Sequence, residues 1–162
     1  MSVRHAVVTG GSSGIGLETA RGLLRRGFER VAIIGRDDAR LARAVKSLGP
    51  GAVPLRADFG SLAEVRACAE EVRATLHPLT VLVNNAGVWH SERTLSQDGF
   101  EDTFAVNHLA HFEFTRCLLD HLAEMGVTWV SLTPFGRLWS LSSTDIQMDF
   151  EAPYEDNRVA VR

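Results

Sequence analysis

A glycine-rich turn that joins an apolar run to a helical pattern constrains this chain more than any other feature. The run Ala6–Thr9 is typical of a strand, and the sequence TGGSSGIG leads from Thr9 into a helix. Glycine allows a tight exit from the strand at Gly10, close approach of a phosphate to the backbone at Gly14, and close helix–strand packing at Gly16. The N–H groups and the positive dipole at the start of a helix attract anions. The turn therefore predicts a pyrophosphate site, the alternative being a turn that only connects the two elements.

Strand-like and helical segments alternate along the first 124 residues. The strands are apolar throughout, which is typical of a parallel sheet covered by helices on both faces. Two further runs, 127–132 and 137–142, compete for the next strand. The pattern predicts a doubly wound α/β sheet of about five parallel strands over residues 1–144, followed by an irregular polar tail over 145–162. The predicted strands are Ala6–Thr9, Val31–Ile34, about 52–57 and Leu79–Val83. The predicted helices cover about 14–26, the residues that follow Asp37 and Asp38 as far as Leu48, about 61–76, and about 98–123.

Composition excludes several classes of function. The 162 residues carry a formal net charge of -3, with 17 basic against 20 acidic side chains, so charge gives no reason to expect nucleic-acid or membrane-surface binding. No apolar run approaches the roughly 20 residues that span a bilayer, and strand-like residues begin too near Met1 for a signal peptide. Two cysteines, Cys68 and Cys117, exclude a disulfide scaffold and a cysteine-rich zinc site, and favour a reducing compartment. We therefore expect one cytoplasmic domain.

Four motifs in a fixed order carry a resemblance to a known family. The turn Thr9-Gly10-x-x-x-Gly14-x-Gly16 is followed by Asp58 after the third strand, by Asn84-Asn85-Ala86-Gly87 after the fourth, and by Asn107 in the long helix. The chain thereby resembles the short-chain dehydrogenase/reductases, and residues 98–112 look most like the retinol-dehydrogenase-like branch. The resemblance implies a Rossmann-type NAD(P)-binding domain and an oxidoreductase that interconverts an alcohol and a carbonyl compound by hydride transfer. It also implies cofactor contacts by Thr9, Gly10, Ser12, Ser13, Gly14, Ile15, Gly16, Arg36, Asp58, Asn85, Ala86 and Gly87.

The residues that follow the second strand bear on the choice of cofactor. An NAD site places a carboxylate there for the ribose 2′-hydroxyl, whereas an NADP site offers a cation to the 2′-phosphate. Gly35 stands where NAD-preferring relatives carry Asp, and Arg36 could pair with a phosphate. Asp37 argues the other way, and Ser13 is not the basic residue that some NADP-preferring relatives carry. The sequence favours NADP over NAD, with a solvated surface arginine as the alternative interpretation of Arg36.

Part of the catalytic machinery that the resemblance implies can be placed on the sequence. The asparagine that supports a water relay in the family corresponds to Asn107. The family also uses a serine at the end of a strand to orient the substrate carbonyl. Ser143 is the first candidate for this role, Ser142 the second and Ser131 the third. The alternative is that these serines are ordinary strand-end hydroxyls.

The sequence does not contain the Tyr-x-x-x-Lys pair with which the family moves a proton at the substrate oxygen. The chain has one tyrosine, Tyr154, and one lysine, Lys46, which lies in the second predicted helix. Arg158 follows Tyr154 at the right spacing, but the surrounding composition is that of a loop, and arginine does not replace the compact charge of lysine. We therefore expect the chain to stop just before its catalytic pair. Two alternatives remain open: a nucleotide-binding module without turnover, and a non-functional fragment of the family.

Two histidines of the long helix could suit a metal ion. His108 and His111 lie three positions apart, but no acidic or cysteine partner falls in register with them. Ordinary helix histidines are therefore the favoured interpretation, and no metal site is predicted. Trp89, after the Asn-Asn-Ala-Gly turn, could border a nicotinamide pocket or be an exposed loop aromatic.

Overall fold

Six strands form one sheet in the computed structural model, which describes residues 3–123, 128–132 and 138–142. The first five strands are parallel, and their order across the sheet is β3-β2-β1-β4-β5-β6. This order confirms the predicted Rossmann-type α/β fold. The predicted polar tail, 145–162, lies outside the described residues and stays a prediction. The strands are β1 (His5–Thr9), β2 (Arg30–Gly35), β3 (Ala52–Arg56), β4 (Leu79–Asn84), β5 (Thr128–Leu132) and β6 (Leu138–Ser142).

Helical segments connect the parallel strands as crossovers. None of the helices in the described part of the chain is long and apolar enough to cross a membrane. The segments are α1 (Gly14–Arg25), α2 (Asp38–Leu48), α3 (Leu62–Thr75), α4 (Asp102–Phe104), a π-helical turn over Ala105–Leu109, and α5 (Ala110–Ala123).

The last helical segment starts later than its composition predicts. Residues 98–101 were expected within the helix, but Gly99 has a φ of +81°, which is incompatible with a right-handed helix. The carboxylate of Glu101 then accepts hydrogen bonds from the N–H groups of Thr103 and Phe104, at 3.0 and 2.8 Å. Glu101 therefore caps the helix start, and the predicted boundary at 98 is wrong because a glycine turn and a cap intervene.

Two apolar layers cover the two faces of the sheet. Alternate residues of a strand point to opposite faces, so Val7 packs in one layer while Ala6 and Val8 pack in the other. The layer around Val7 contains residues of α3 and α5, including Phe114, which is fully buried. The other layer contains residues of α1 and α2. Burial on both faces explains why the strands are apolar without alternation.

The two runs that compete for the fifth strand both form strands. β5 continues the parallel sheet beside β4, whereas β6 runs antiparallel to β5. Only five residues, 133–137, separate the two strands. A parallel neighbour requires a crossover of about a dozen residues or more, whereas an antiparallel neighbour can follow a short connection. The length of the connection therefore decides the direction of β6.

Candidate functional site

A cleft of about 530 Å³ opens at the carboxyl ends of β1 to β4. The chain leaves β1 towards β2 and β3 on one side and reaches β4 on the other, so the cleft lies at the point where the strand order reverses. Ligands of open α/β sheets bind at such switch points. Ten of the twelve cofactor contacts predicted from the sequence line this cleft: Gly10, Ser12, Ser13, Ile15, Gly16, Arg36, Asp58, Asn85, Ala86 and Gly87.

The glycine turn after β1 packs directly against the loop after β4. Gly10 has a φ of +65°, and a Cβ atom built on it would lie 2.9 Å from Cα of Ala86. A Cβ atom on Gly16 would collide with the carbonyl oxygen of Gly10 and with Nδ2 of Asn85. That Nδ2 atom donates to the carbonyl oxygen of Thr9 at 2.9 Å and to that of Gly10 at 3.4 Å. The turn therefore has room for glycine alone at both positions.

Thr9 acts inside the protein rather than on the cleft surface. Its side chain is fully buried, and its Oγ1 atom accepts the N–H groups of Asn85 at 2.8 Å and Ala86 at 2.9 Å. The same oxygen lies 3.0 Å from Nε2 of His111. Thr9 was among the predicted cofactor contacts, but in the structure its hydroxyl fixes the start of the loop after β4.

Asn107 holds the far end of the same loop. Its Oδ1 atom accepts the N–H of Val88 at 2.8 Å, and its Nδ2 atom donates to the carbonyl oxygen of Val88 at 2.9 Å. Asn107 lies in the π-helical turn, and such turns are frequent at functional sites. Both polar atoms of its side chain are used by one backbone residue, so its role in a water relay stays a prediction.

The two helix histidines occupy different environments. His108 is exposed and stacks on Phe104, with 5.3 Å between ring centroids. His111 is buried, and its Nδ1 atom lies 3.3 Å from the carbonyl oxygen of Asn107. Burial is the main cause that lowers the pKa of His111 to about 4, and the nearby His108 acts in the same direction. Within the described residues, no group of three or more potential metal ligands comes together.

The residues after β2 provide a helix cap and two exposed arginines. Oδ1 of Asp37 accepts the backbone N–H of Arg40 at 2.7 Å and thereby caps α2. This hydrogen bond is the main cause that holds the pKa of Asp37 below its usual value. Arg36 and Arg40 are exposed and line the cleft. Arg40 was not predicted from the sequence, although a cation four positions after Arg36 at a helix start is a signal that could have found it.

The loop residues Asp58 and Trp89 differ in their relation to the cleft. Oδ1 of Asp58 accepts the N–H of Gly60 at 2.9 Å, while the half-buried side chain lines the cleft. Trp89 is 80% exposed. Val88, which follows the predicted residues of the loop after β4, and Val106 of the π-helical turn also line the cleft. Neither valine was predicted as a site residue, because a single valine does not form part of a recognisable sequence motif.

One of the three candidate serines, Ser143, lies outside the described residues. The backbone of Ser142 pairs with Thr128 at the start of β5, whereas that of Ser131 pairs with Asn84 at the carboxyl end of β4. Of the two described serines, Ser131 therefore has its backbone at the edge of the sheet where the cleft opens, and the choice of the orienting serine stays a prediction.

Comparison with known proteins places this geometry in a family. Residues 4–128 match the family model described as short chain dehydrogenase. Polyprenol dehydrogenase of Homo sapiens is 38% identical over 128 residues, covering 76% of this chain and 38% of that protein. Retinol dehydrogenase 14 of Mus musculus is 40% identical over 134 residues, covering 74% of this chain and 40% of that protein. The chain therefore spans about two fifths of the length of these curated relatives.

A solved structure agrees with the sequence comparison. The alcohol dehydrogenase of the archaeon Thermococcus sibiricus, complexed with 5-hydroxy-NADP, is 26% identical and superimposes with a TM-score of 0.67. The match covers 80% of this chain and 57% of that structure.

Proposed function

Because this chain belongs to the short-chain dehydrogenase family, we propose that it binds NADP(H) and forms the cofactor-binding part of an oxidoreductase that interconverts an alcohol and a carbonyl compound. The observation that carries the proposal is the cleft itself, in which the glycine turn, the arginines after β2 and the loop after β4 line one space. When bound, the cofactor supplies or accepts the hydride. The residues of this chain would bind and orient it.

We expect the pyrophosphate of the cofactor at the start of α1. Gly14 has a φ of +54°, and a Cβ atom built on it would meet no heavy atom within 4 Å, so the space beside this backbone is open. Ser13 occupies the cap position without a side-chain hydrogen bond, and the first turn of α1 contains no acidic residue. N–H groups at a helix start that has no competing carboxylate can receive phosphate oxygens. The residues at the start of α1 therefore fit the pyrophosphate of the cofactor.

Two cations beside the end of β2 support NADP rather than NAD. No carboxylate of the described residues lies within 4 Å of the guanidinium of Arg36 or of Arg40. Asp37, the carboxylate that argued for NAD, is used as a helix cap. A Cβ atom on Gly35 would lie 2.9 Å from Oγ of Ser12, so an acidic side chain at this position would require Ser12 to move. A doubly charged 2′-phosphate would have two arginines within this part of the cleft.

Titration of the purified chain with NADPH and with NADH, followed by tryptophan fluorescence, tests the proposed cofactor. We expect saturable binding that is tighter for NADPH. Arg36→Ala is expected to raise the Kd for NADPH about tenfold and to leave the Kd for NADH unchanged, because only NADPH carries the 2′-phosphate. Arg43→Ala, which removes an exposed arginine of α2 outside the cleft, is the matched control. Equal loss for both nucleotides in Arg36→Ala would contradict the assignment.

Asp37→Ala separates the two roles that a carboxylate can have after β2. As a helix cap, Asp37 is expected to contribute to the free energy of unfolding, so Asp37→Ala should unfold at a lower urea concentration than wild type and Asp37→Asn at nearly the wild-type concentration. The Kd for NADH is expected to stay unchanged in both variants. Urea unfolding and the same fluorescence titration check these results. A selective loss of NADH binding in Asp37→Ala would show that the carboxylate binds the ribose, which would overturn the proposed preference for NADP.

Turnover is a further part of the proposal. Asn107 and Ser143 remain the candidate catalytic residues, and an alcohol or a carbonyl compound remains the proposed substrate class. Incubation of the purified chain with NADPH and a panel of aldehydes and ketones tests this part. Oxidation of NADPH supports an oxidoreductase, whereas saturable binding without oxidation supports a nucleotide-binding module.

A further inference from the structure

We propose that His111 is a positioning residue for the cofactor cleft, whose ring orients the Thr9 hydroxyl so that Thr9 holds the backbone of Asn85 and Ala86. The inference rests on the proposed function, because the loop so held lines the cleft assigned to NADP(H). The sequence predicts an ordinary helix histidine at this position, and the structure gives it a specific partner.

His111 lies where the end of β1 meets the start of α5. Its side chain is 7% exposed, and Nε2 is 3.0 Å from Oγ1 of Thr9. The ring of Phe59 packs against the imidazole in an edge-on geometry, with 5.4 Å between centroids. Since burial holds the pKa of His111 at about 4, the ring is neutral near pH 7. A neutral imidazole has one N–H donor and one bare acceptor nitrogen.

The hydrogen bonds of Thr9 decide which ring nitrogen is bare. A hydroxyl has two acceptor lone pairs and one hydrogen. The N–H groups of Asn85 and Ala86 use both lone pairs of Oγ1. The hydroxyl therefore donates its hydrogen to His111, and Nε2 must accept it. The ring hydrogen is then on Nδ1, which donates to the carbonyl oxygen of Asn107 at 3.3 Å.

This arrangement connects the two supports of the loop after β4 through one ring. Thr9 holds the start of the loop, and the side chain of Asn107 holds both backbone polar groups of Val88. Removing the acceptor at position 111 leaves the buried hydroxyl hydrogen of Thr9 without a partner. Rotation of the hydroxyl towards another acceptor then becomes favourable, and this rotation weakens one of the hydrogen bonds that it accepts from the N–H groups of the loop.

Nitrogen NMR of the histidine rings in the purified chain tests the geometry directly. The spectrum distinguishes a nitrogen that carries hydrogen from a bare one. We expect Nδ1 of His111 to carry the hydrogen and Nε2 to be bare. A hydrogen on Nε2 would overturn the inference, because Thr9 could then not donate to the ring.

Substitutions at position 111 test the consequence for binding. His111→Leu is expected to raise the Kd for NADPH about tenfold, because it removes the acceptor. In His111→Gln the amide oxygen can occupy the place of Nε2, so the Kd is expected to stay within about twofold of wild type. His111→Asn reaches only as far as Nδ1 and is expected to behave like His111→Leu.

His121→Leu is the matched control. His121 is also buried on α5, and its Nε2 atom lies 3.0 Å from the carbonyl oxygen of Leu76, about 15 Å along the helix from His111. This variant is expected to lose stability without any change in the Kd for NADPH. A merely structural role for His111 predicts the same result for His111→Leu, and that result would overturn the inference.

The outcomes also separate this inference from the proposed function. If the wild-type chain binds neither NADPH nor NADH, the proposed function is wrong, and the ring-nitrogen spectrum still tests the hydrogen bond from Thr9. If the wild type binds NADPH and His111→Leu binds it equally tightly, only the positioning role is wrong. If His111→Leu does not fold, the comparison of His111→Gln with His111→Asn decides, and equal affinities in those two variants would overturn the inference.

Discussion

Gly16→Ala is expected to destabilise the protein by about 2 kcal/mol and to weaken NADPH binding at least about tenfold. The added methyl group would collide with the carbonyl oxygen of Gly10, a backbone atom, and with Nδ2 of Asn85. Relief requires the glycine turn and the loop after β4 to separate, which breaks the hydrogen bonds from Asn85 to the turn. Both segments line the cleft, so stability and binding are expected to fall together.

Gly22→Ala makes the same chemical change on the same helix and serves as the control. A Cβ atom on Gly22 would meet only the end of the Arg26 side chain, at 3.3 Å, and this flexible side chain can move. The substitution is therefore expected to stabilise the protein by up to about 1 kcal/mol through helix propensity. Urea unfolding should separate the two variants by about 3 kcal/mol. Equal stabilities would contradict the close packing between the turn and the loop.

Acid is expected to remove about 3 kcal/mol of stability between pH 6.5 and pH 4 through His111 alone. The folded-state pKa of His111 is lowered to about 4, mainly by burial, from an ordinary value of 6.5. Below pH 6.5 the unfolded chain takes up a proton that the folded protein does not bind. The contribution is therefore fully present above pH 6.5 and is lost as the pH falls towards 4, with a limiting slope of about 1.4 kcal/mol per pH unit.

His5 acts in the same direction at the other end of β1. Its side chain is buried, neither ring nitrogen has a hydrogen-bond partner among the described residues, and burial is the main cause that lowers its pKa. Glu113 acts in a lower range of pH. Its hydrogen bond with Arg116 is the main cause that lowers its pKa to about 2, so its contribution is lost only as the pH falls below about 4.5. The range from pH 6.5 to 4.5 therefore reports on the histidines.

Urea unfolding at several pH values between 7.5 and 4.5 measures this effect. The slope of unfolding free energy against pH measures how many more protons the unfolded chain binds than the folded protein. His111→Gln is expected to reduce this difference by nearly one proton, and His5→Gln, added to it, is expected to reduce the difference further. His108→Gln, at an exposed position, should leave the slope nearly unchanged. A wild-type protein whose stability is constant from pH 7 to pH 5 would contradict the burial of a neutral His111.

Local patterns were sufficient to predict most of the elements of the described chain. The parallel strands, the helices between them and the glycine turn depend on residues within a few positions of one another. The exception is instructive: Gly99 and Glu101 delay the start of the last helical segment, although the apolar spacing continues through 98–123. Hydrophobic periodicity predicts that a helix is present, whereas a turn and a capping residue decide at which residue the helix begins.

The position of each motif in the cleft also follows from the sequence, because the carboxyl ends of parallel strands meet at one edge of the sheet. What each polar group binds there was decided by the tertiary structure. Thr9 is predicted from the sequence to contact the cofactor, and only the structure brings its hydroxyl to His111, 102 positions away in the sequence. Asp37 argued against NADP in the sequence, and in the structure its carboxylate caps α2.

The sequence by itself determined the family, the order of strands and helices, and the glycines that let two backbones approach. These features depend on the spacing of nearby residues and on the positions of glycine, and both can be taken directly from the sequence. The tertiary structure alone decided the presence of Arg40 in the cleft and the pairing of Thr9 with His111. A hydrogen bond goes to whichever partner lies within about 3 Å, and that proximity is created only when distant segments pack together.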